Sequence, residues 1–542
     1  MGRVFAYKFL VIDDAWILEI ENLHRRVNQA TKHPEPVIQM DAPWDRETDV
    51  FNCFNVIYDG DEGIFKMWYS VMYYGGELQD GPSKFAYATS KDGIHWDKPK
   101  LGLVEVNGTK ENNYIIPEIG IYGSIIKDPS DIPQRRYKMI FYLAGREMTW
   151  ARFHIPLCLA YSADGIHWER PAHVNPVLRG VSDGPWGFTY DSDRRKYLLF
   201  SRRVPNLPRD ISLYESYDLV NWEDKGRVIV GGDALDPPEM YNFYHMMPFR
   251  YEDFHFGALN AQYTSPISES YDSYNRSPDY PDTTMGHLEI QLAYSRDGRK
   301  WNRPNDRRAI VPWGPEGSPD FGAIYPANNP IVKDGETWIY YLAQNNVHSW
   351  WHIQEQWNHN KSSRHTACGM LAKMPEDHWV SLDAGNREGF FVHKPWGPPH
   401  EVFVNADAEG GSIEVELVNP FGQTMGGFSR AECLPITANG KKQEVKWKNG
   451  RHPWDFAKDH RGGVLAKFYL KNAKLYSYTF TLPDPDGKLA VDKANTRWCG
   501  IIKHKSDNWD RLSTEPAGGL PPHSGPGPEK GQEKPGEIVL DF

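Results

Sequence analysis

Short apolar runs alternate with polar turns along most of this chain, and three of the runs end almost identically. FAYATSKDGIHW closes at Trp96, CLAYSADGIHW at Trp168 and QLAYSRDGRKW at Trp301. A fourth copy, YESYDLVNW, ends at Trp222 with Leu219 where the others have glycine, and an eroded fifth, LAKMPEDHWVSL, surrounds Trp379. An apolar run leading into Asp-Gly predicts a strand and a tight hairpin turn. The Ser and Asp side chains of each copy (Ser90 and Asp92, Ser162 and Asp164, Ser216 and Asp218, Ser295 and Asp297) can bond the turn amides. The tryptophan then anchors the turn on the sheet. The phrase recurs about every 55–80 residues, which predicts a propeller with one sheet per repeat. Because it recurs, it marks scaffold rather than a reaction centre.

Two further strands precede each turn. They read VFNCFNVIYD and IFKMWYSVMYY in the first unit, YGSIIKD and RYKMIFYLAG in the second, and WGFTYD and KYLLFSRR in the third. The fourth has YNFYHMMPFRYE and FHFGALNAQY, the fifth GAIYPANNPIVKD and ETWIYYLAQNN. With one strand after the turn, each unit holds four. The expected fold is all-β: a five-bladed β-propeller over residues 40–390, followed by a C-terminal β-sandwich over 391–485, where SIEVELV and its neighbours alternate at period two. Residues 1–39 are expected to close onto the propeller, and 486–542 form a Pro/Gly-rich extension.

Composition narrows the function. A net charge of -11 with no basic run argues against nucleic acid. No apolar stretch approaches the ~20 residues of a membrane span, and no signal peptide is visible, so a soluble protein is expected, cytoplasmic or with its leader removed. The 20 tryptophans and 29 tyrosines suit sheets and sugar-binding surfaces alike. Cys53, Cys158, Cys368, Cys433 and Cys499 are scattered, without a CxxC pair, so reduced buried thiols are expected and no zinc site.

Strand direction locates the chemistry. The starts of first strands and the ends of second strands share one face, and the Asp-Gly turns lie on the other. The first-strand starts bring Trp44, Asp45, Tyr122, Asp183, Glu239, Asp320 and Tyr325, with Asp41 and Asp49 as rivals to Asp45. The second-strand ends bring Arg146, Arg202, Arg203, Asn260, Gln262, Gln344 and His348. Facing carboxyl groups, one protonated and one ionised, are what cleavage of a glycosidic bond requires. The arginines are read as clamps for an anionic group or as partners of the acids, the amides as readers of hydroxyls. His95 and His167 lie in the repeated turns and are structural; His245 is placed to face the central channel.

The repeated turns, the opening HPEPVIQMDAPWD, the GSPDFGAIY stretch and the closing VSLDAGNREGFFVHKPW resemble five-bladed propeller glycosidases of the family 32 and 43 type, over about residues 8–483. The resemblance implies three acids in the funnel, the first falling on Asp45; Tyr122 stands where the second-blade acid is expected, so the remaining acids are drawn from Asp183 and Glu239. The expected function is an exo-acting glycoside hydrolase, with Asp45 as nucleophile or base, Glu239 as general acid and Asp183 fixing the sugar. The alternatives are a non-catalytic carbohydrate-binding protein, or a glycan lyase or phosphorylase. The expected partner is a carbohydrate. No cofactor and no metal ligand set is called for, and a structural calcium and the oligomeric state are left open.

Overall fold

The computed structural model describes residues 3–45, 50–72, 84–106, 108–116, 119–143, 155–182, 184–203, 209–240, 242–264, 286–348, 367–454 and 463–484. The chain divides into two compact units, residues 27–379 and residues 1–26 with 380–542. Among the described residues no helix is long and apolar enough to cross a membrane.

Residues 27–379 hold five successive groups of antiparallel strands. The first is Val50–Asp59, Ile64–Met72, Lys84–Ser90 and Tyr114–Ile116; the second is Ile119–Lys127, Tyr137–Leu143, Ile155–Ser162 and Trp168–Glu169. The third is Gly187–Asp191, Lys196–Ser201, Ile211–Ser216 and Glu223–Ile229. Asn242–Tyr251, Phe254–Thr264 and Gly286–Ser295 make the fourth, edged by bridges to Asn302 and Val311. The fifth has Ala323–Pro326, Glu336–Gln344 and Ala367–Pro375, and its outer strand is Thr31–Lys32 from the N-terminal segment. A parallel pairing of Leu288 with Ala323 joins the fourth and fifth groups. The first strands touch in chain order: Val50–Asp59 meets Ile119–Lys127, which meets Gly187–Asp191, which meets Asn242–Tyr251; Glu336–Gln344 returns to Val50–Asp59. The groups therefore come round as a propeller-type ring closed by contacts between sheets, not by a closed sheet. Inner strands such as Lys196–Ser201 and Ile211–Ser216 are buried on both faces because each sheet is packed between two others, whereas the outer strand Glu223–Ile229 is largely exposed or half-buried.

The repeated phrase builds the same turn each time. Ser162 Oγ accepts from Gly165 N at 2.8 Å, and Asp164 Oδ1 accepts from the amides of Ile166 and His167, both at 2.8 Å. Trp168 Nε1 donates to the Gly165 carbonyl at 3.0 Å. The copies at Ser90 and Ser216 repeat these bonds, and the copy at Ser295 repeats those of the aspartate and the tryptophan. Gly165 sits at φ 82°. Leu219 takes the equivalent position at φ 68°. The left-handed conformation costs a branched residue about 1–2 kcal/mol, but Leu219 is 1% exposed, and burying leucine gives about 1.5–3 kcal/mol, so packing wins.

The second unit has two sheets sharing one apolar core. One pairs Arg3–Leu10, His24–Val27, Val380–Ala384, Val402–Asp407 and Asn439–Glu444 around Ala473–Asp484; the other runs Ile17–Glu21, Gly389–His393, Leu465–Lys471, Ser412–Val418. Ser412–Val418 alternates strictly between buried and half-buried positions, as its period-two pattern requires. Phe468 of one sheet and Tyr478 of the other lie 5.0 Å apart across this core. The N-terminal segment thus differs from the expected closure. Residues 3–26 are mostly strands of this sandwich, because their alternating apolar positions (Tyr7, Phe9, Ile17) find its core, whereas the residues from Val27 onward belong to the ring unit, where Thr31–Lys32 pairs with Ala372 and Lys373 and Ile38 bridges Gly369. Cys158, Cys368 and Cys433 are buried free thiols.

A Cβ added at Gly165 would stand 2.5 Å from Trp68 Cζ2. Gly165→Ala therefore combines left-handed strain with a clash, and should lower stability by at least about 2 kcal/mol in denaturant melts; Gly60→Ala, where a Cβ meets nothing within 4 Å, should change it by less than about 0.5 kcal/mol. Acid should unfold the protein through the ring's carboxylates. Burial pushes Glu215 up, but bonds from Arg299 and Lys196 outweigh it and hold its pKa at about 2. Asp164 and Asp218 are likewise held at about 2, burial being outweighed by the turn's hydrogen bonds. Unfolded carboxyls titrate near 4, so the unfolded chain binds protons first. This stability is complete above about pH 5 and lost as pH falls toward 2. Thermal melts from pH 6 to 2.5 should show that fall, with a shallower slope in Glu215→Gln.

Candidate functional site

The inner ends of the third, fourth and fifth sheets converge on a buried polar cluster. Tyr244 and His245 come from the start of the fourth sheet's first strand, and Tyr325 from the fifth's. Gln262 and Gln344 end the second strands of the same two sheets, paired with Asn242 and Ala323, and His348 follows four residues after Gln344. Arg202 arrives just past Lys196–Ser201, and Arg209 just before Ile211–Ser216. The guanidinium groups of Arg202 and Arg209 lie 4.5 and 5.1 Å from the Tyr244 ring centre, within cation–π range. His348 also meets this aromatic group, its ring 4.5 Å from that of Tyr244.

Hydrogen bonds fix the cluster's polarity. Arg209 Nη1 donates to Gln262 Oε1 at 3.0 Å and stands 3.4 Å from His348 Nε2. A guanidinium can only donate, so Nε2 accepts and the His348 proton sits on Nδ1. That proton goes to the Tyr325 hydroxyl at 2.8 Å, which in turn faces Gln344 Oε1 at 3.5 Å. The relay Arg209–His348–Tyr325–Gln344 is directional. The His245 ring lies parallel to that of Tyr325, 6.2 Å away. Burial first, and the charge of Arg202 second, lower the His245 pKa to about 3, so it is a neutral imidazole at physiological pH. Such a cluster presents donors, neutral rings and amides in a pre-set arrangement suited to hydroxyl-rich ligands.

Arg202, Gln262, Tyr325, Gln344 and His348, expected from strand direction, are thus brought together. Others sit elsewhere. Asn260 ties two strands, its Nδ2 donating to the carbonyls of Glu289 (3.0 Å) and Ile324 (2.8 Å). Asp320 accepts from Lys32 Nζ at 2.5 Å and from the Tyr341 and Ser318 hydroxyls, so it fixes the N-terminal segment to the fifth sheet. Asp45 is fully enclosed, with Lys98 Nζ at 2.5 Å and the Tyr114 hydroxyl at 3.2 Å. Burial raises its pKa, and Lys98 and Tyr114 oppose that without overcoming it. A carboxyl sealed in this way does not meet a sugar, so the expected nucleophile role finds no access there. Trp44 donates to Asn113 Oδ1 at 2.8 Å beside it. Glu239 is exposed three residues before the fourth sheet's first strand. Asp183, Arg146 and Asp49 lie outside the described residues, as does the side chain of Tyr122, which belongs to the second sheet's first strand. Arg203 points away from Arg202, because neighbouring strand residues face opposite sides, and it pairs with Asp224.

Two residues escaped a reading confined to first and second strands. Arg209 reaches in from the start of a third strand. Glu289, on the third strand of the fourth sheet, is 6% exposed. Its Oε1 accepts from Tyr263 at 2.7 Å and Gln291 Nε2 at 2.8 Å, and burial raises its pKa against those bonds and the charge of Arg303. The available signal was Glu289 and Gln291 at period two within an otherwise apolar strand. Among the described residues, one group of acids, Glu252, Glu376 and Asp377, could converge on a cation; Tyr251 donates to Asp377 at 2.6 Å, and the group lies at the hairpin end of the fourth sheet, opposite the polar cluster.

Residues 54–280 match the family model described as the glycosyl hydrolases family 32 N-terminal domain. An uncharacterized protein of Mycobacterium tuberculosis (strain ATCC 25618 / H37Rv), Rv1502, is 28% identical over 169 residues, 30% of this chain and 45% of that protein; the match thus takes in less than half of the relative's length. Among solved structures, the Bombyx mori family 32 β-fructofuranosidase BmSUC1 is 14% identical with a TM-score of 0.38, over 83% of this chain and 94% of that one. A fructofuranosidase from Schwanniomyces occidentalis, complexed with fructosylnystose, is 13% identical with a TM-score of 0.36, over 84% and 99%. Over residues 54–280, which include most of the polar cluster, the chain is thus similar to the glycosyl hydrolases family 32 N-terminal domain.

Proposed function

We propose that the chain is an exo-acting glycoside hydrolase that cleaves O-glycosidic bonds at the inner ends of its sheets. The observation that carries this is the overlap of the family match, residues 54–280, with the residues that converge there: Arg202, Arg209, Tyr244, His245 and Gln262. With Asp45 enclosed, the acid pair is Asp183 and Glu239, Glu239 protonating the leaving oxygen and Asp183 acting as nucleophile or base. Ser182 and Gly184, the described residues on either side of position 183, both bond Arg202 of the cluster, through the Ser182 amide to the Arg202 carbonyl at 3.1 Å and Arg202 Nη2 to the Gly184 carbonyl at 3.1 Å. Amides and donors of the cluster would hold the sugar hydroxyls, and the neutral His245 and Tyr325 rings would line the floor.

A general acid matters most when the leaving group is poor. After a screen of oligosaccharides and aryl glycosides finds a substrate, Glu239→Gln should lower turnover on the unactivated glycoside by about 10²–10⁴-fold and on its dinitrophenyl counterpart far less. Asp183→Asn should lower both. Equal loss on the two leaving groups in Glu239→Gln, or full activity in either variant with the fold intact, would remove the acid pair from the proposal. Tight glycan binding without product from the parent chain would make it a binding protein instead.

A further inference from the structure

The second arginine of the Arg202–Arg203 pair leads away from the cluster. Arg203 enters a cavity of about 410 Å³ between the outer strands of the second and third sheets, within the range of small-ligand sites. Arg179 and Gly180 come to it from Leu178–Val181, which edges the second sheet, and Arg203 is held there by its bridge to Val181. Tyr214 from the third sheet's third strand and Trp222 from its turn supply aromatic surface, and Arg227 a third guanidinium. Trp222 is held in place because its Nε1 donates to the Leu219 carbonyl at 3.0 Å.

The charges do not balance inside this space. Arg203 pairs with Asp224, and Arg227 Nε with Asp210 Oδ2 at 2.7 Å. Arg179 is exposed, and among the described residues it makes no hydrogen bond or ion pair. Three guanidinium groups thus meet two carboxylates, in a chain whose net charge is -11. An uncompensated guanidinium beside aromatic side chains matches a sugar ring that carries a carboxylate or sulfate: the fork takes the anion bidentately and the apolar ring face packs on the aromatics. Asp224, exposed at the same wall, can accept from sugar hydroxyls.

We propose that this cavity is a second glycan site, separate from the inner cluster, that binds an anionic sugar unit through Arg179 and Arg203 against Tyr214 and Trp222. It stands on its own residues, so failure of the hydrolase reading leaves it untouched. The test is binding of trigalacturonate, galactose 6-sulfate and the neutral galactotriose to the full chain, followed by calorimetry and by the Trp222 indole N–H resonance, assigned with Trp222→Phe. A charged probe should bind at least about tenfold more tightly than galactotriose, weaken as salt rises, and move the Trp222 resonance. Arg179→Ala should weaken it at least about fivefold and leave any glycoside hydrolysis by the inner site unchanged. Binding of only the uronate or only the sulfate identifies the anion, and either supports the site. Equal affinity for charged and neutral probes, an unmoved Trp222 resonance, or full affinity in Arg179→Ala overturns it.

Discussion

The ring depends on one repeated contact: each serine–aspartate turn is gripped by the sheet before it. Trp68 of the first sheet donates to the Gly165 carbonyl of the second sheet's turn at 2.6 Å, and Lys66 beside it donates to the Asp164 carbonyl at 3.2 Å. Tyr340 of the fifth sheet donates to the Gly93 carbonyl of the first at 2.7 Å. Ile140 of the second packs in one cluster with Leu219 of the third, Phe200 of the third meets Trp301 of the fourth edge-on at 5.2 Å, and Phe256 of the fourth meets Trp379 of the fifth at 5.5 Å. The turn is thus two devices in one. Its serine and aspartate fold the hairpin, and the exposed glycine carbonyl or tryptophan edge gives the neighbouring sheet something to hold. Glycine is needed where that neighbour is an indole, since no Cβ fits under Trp68.

Rigidity at the turn face leaves the opposite ends of the strands available for polar groups. Burying arginines, histidines and amides costs several kcal/mol per charge unless the groups satisfy one another. The cluster offsets part of that cost with a directional chain of donors and with a tyrosine ring beside the cations. The same strand alternation that sends Arg202 inward sends Arg203 out to the groove between sheets. Two adjacent residues of one type therefore serve two environments, and their sequence adjacency conceals it.

Much of this was legible in the chain. The recurring Ser-x-Asp-Gly-x-x-Trp announced the sheets, and the apolar runs before it marked which strands lie inside. Strand direction alone gathered Arg202, Gln262, Tyr325, Gln344 and His348. Legibility failed where long side chains decide the outcome. Nothing local in DAPWD shows that Lys98, far along the chain, closes over Asp45. Nor does Asp320, in GSPDFGAIY, advertise that its partner is Lys32. Arg209 was missed because a third strand was assumed to carry only scaffold. The N-terminal segment was read as one piece because its strands are short and weakly patterned, although their partners lie in two different units.

The pairing of Thr31–Lys32 with Ala372 and Lys373 has a consequence for biosynthesis. The outermost strand of the fifth sheet is translated before any other part of the ring, and its partner strand emerges last. Until then the nascent polypeptide carries four sheets with an uncovered flank, and Tyr340 has not yet reached the first sheet's turn. Long-range closure of this kind is slow, and unpaired edges in the interval invite association between chains. A ribosome-bound fragment ending before residue 375 would lack the strand pairing that completes the fifth sheet.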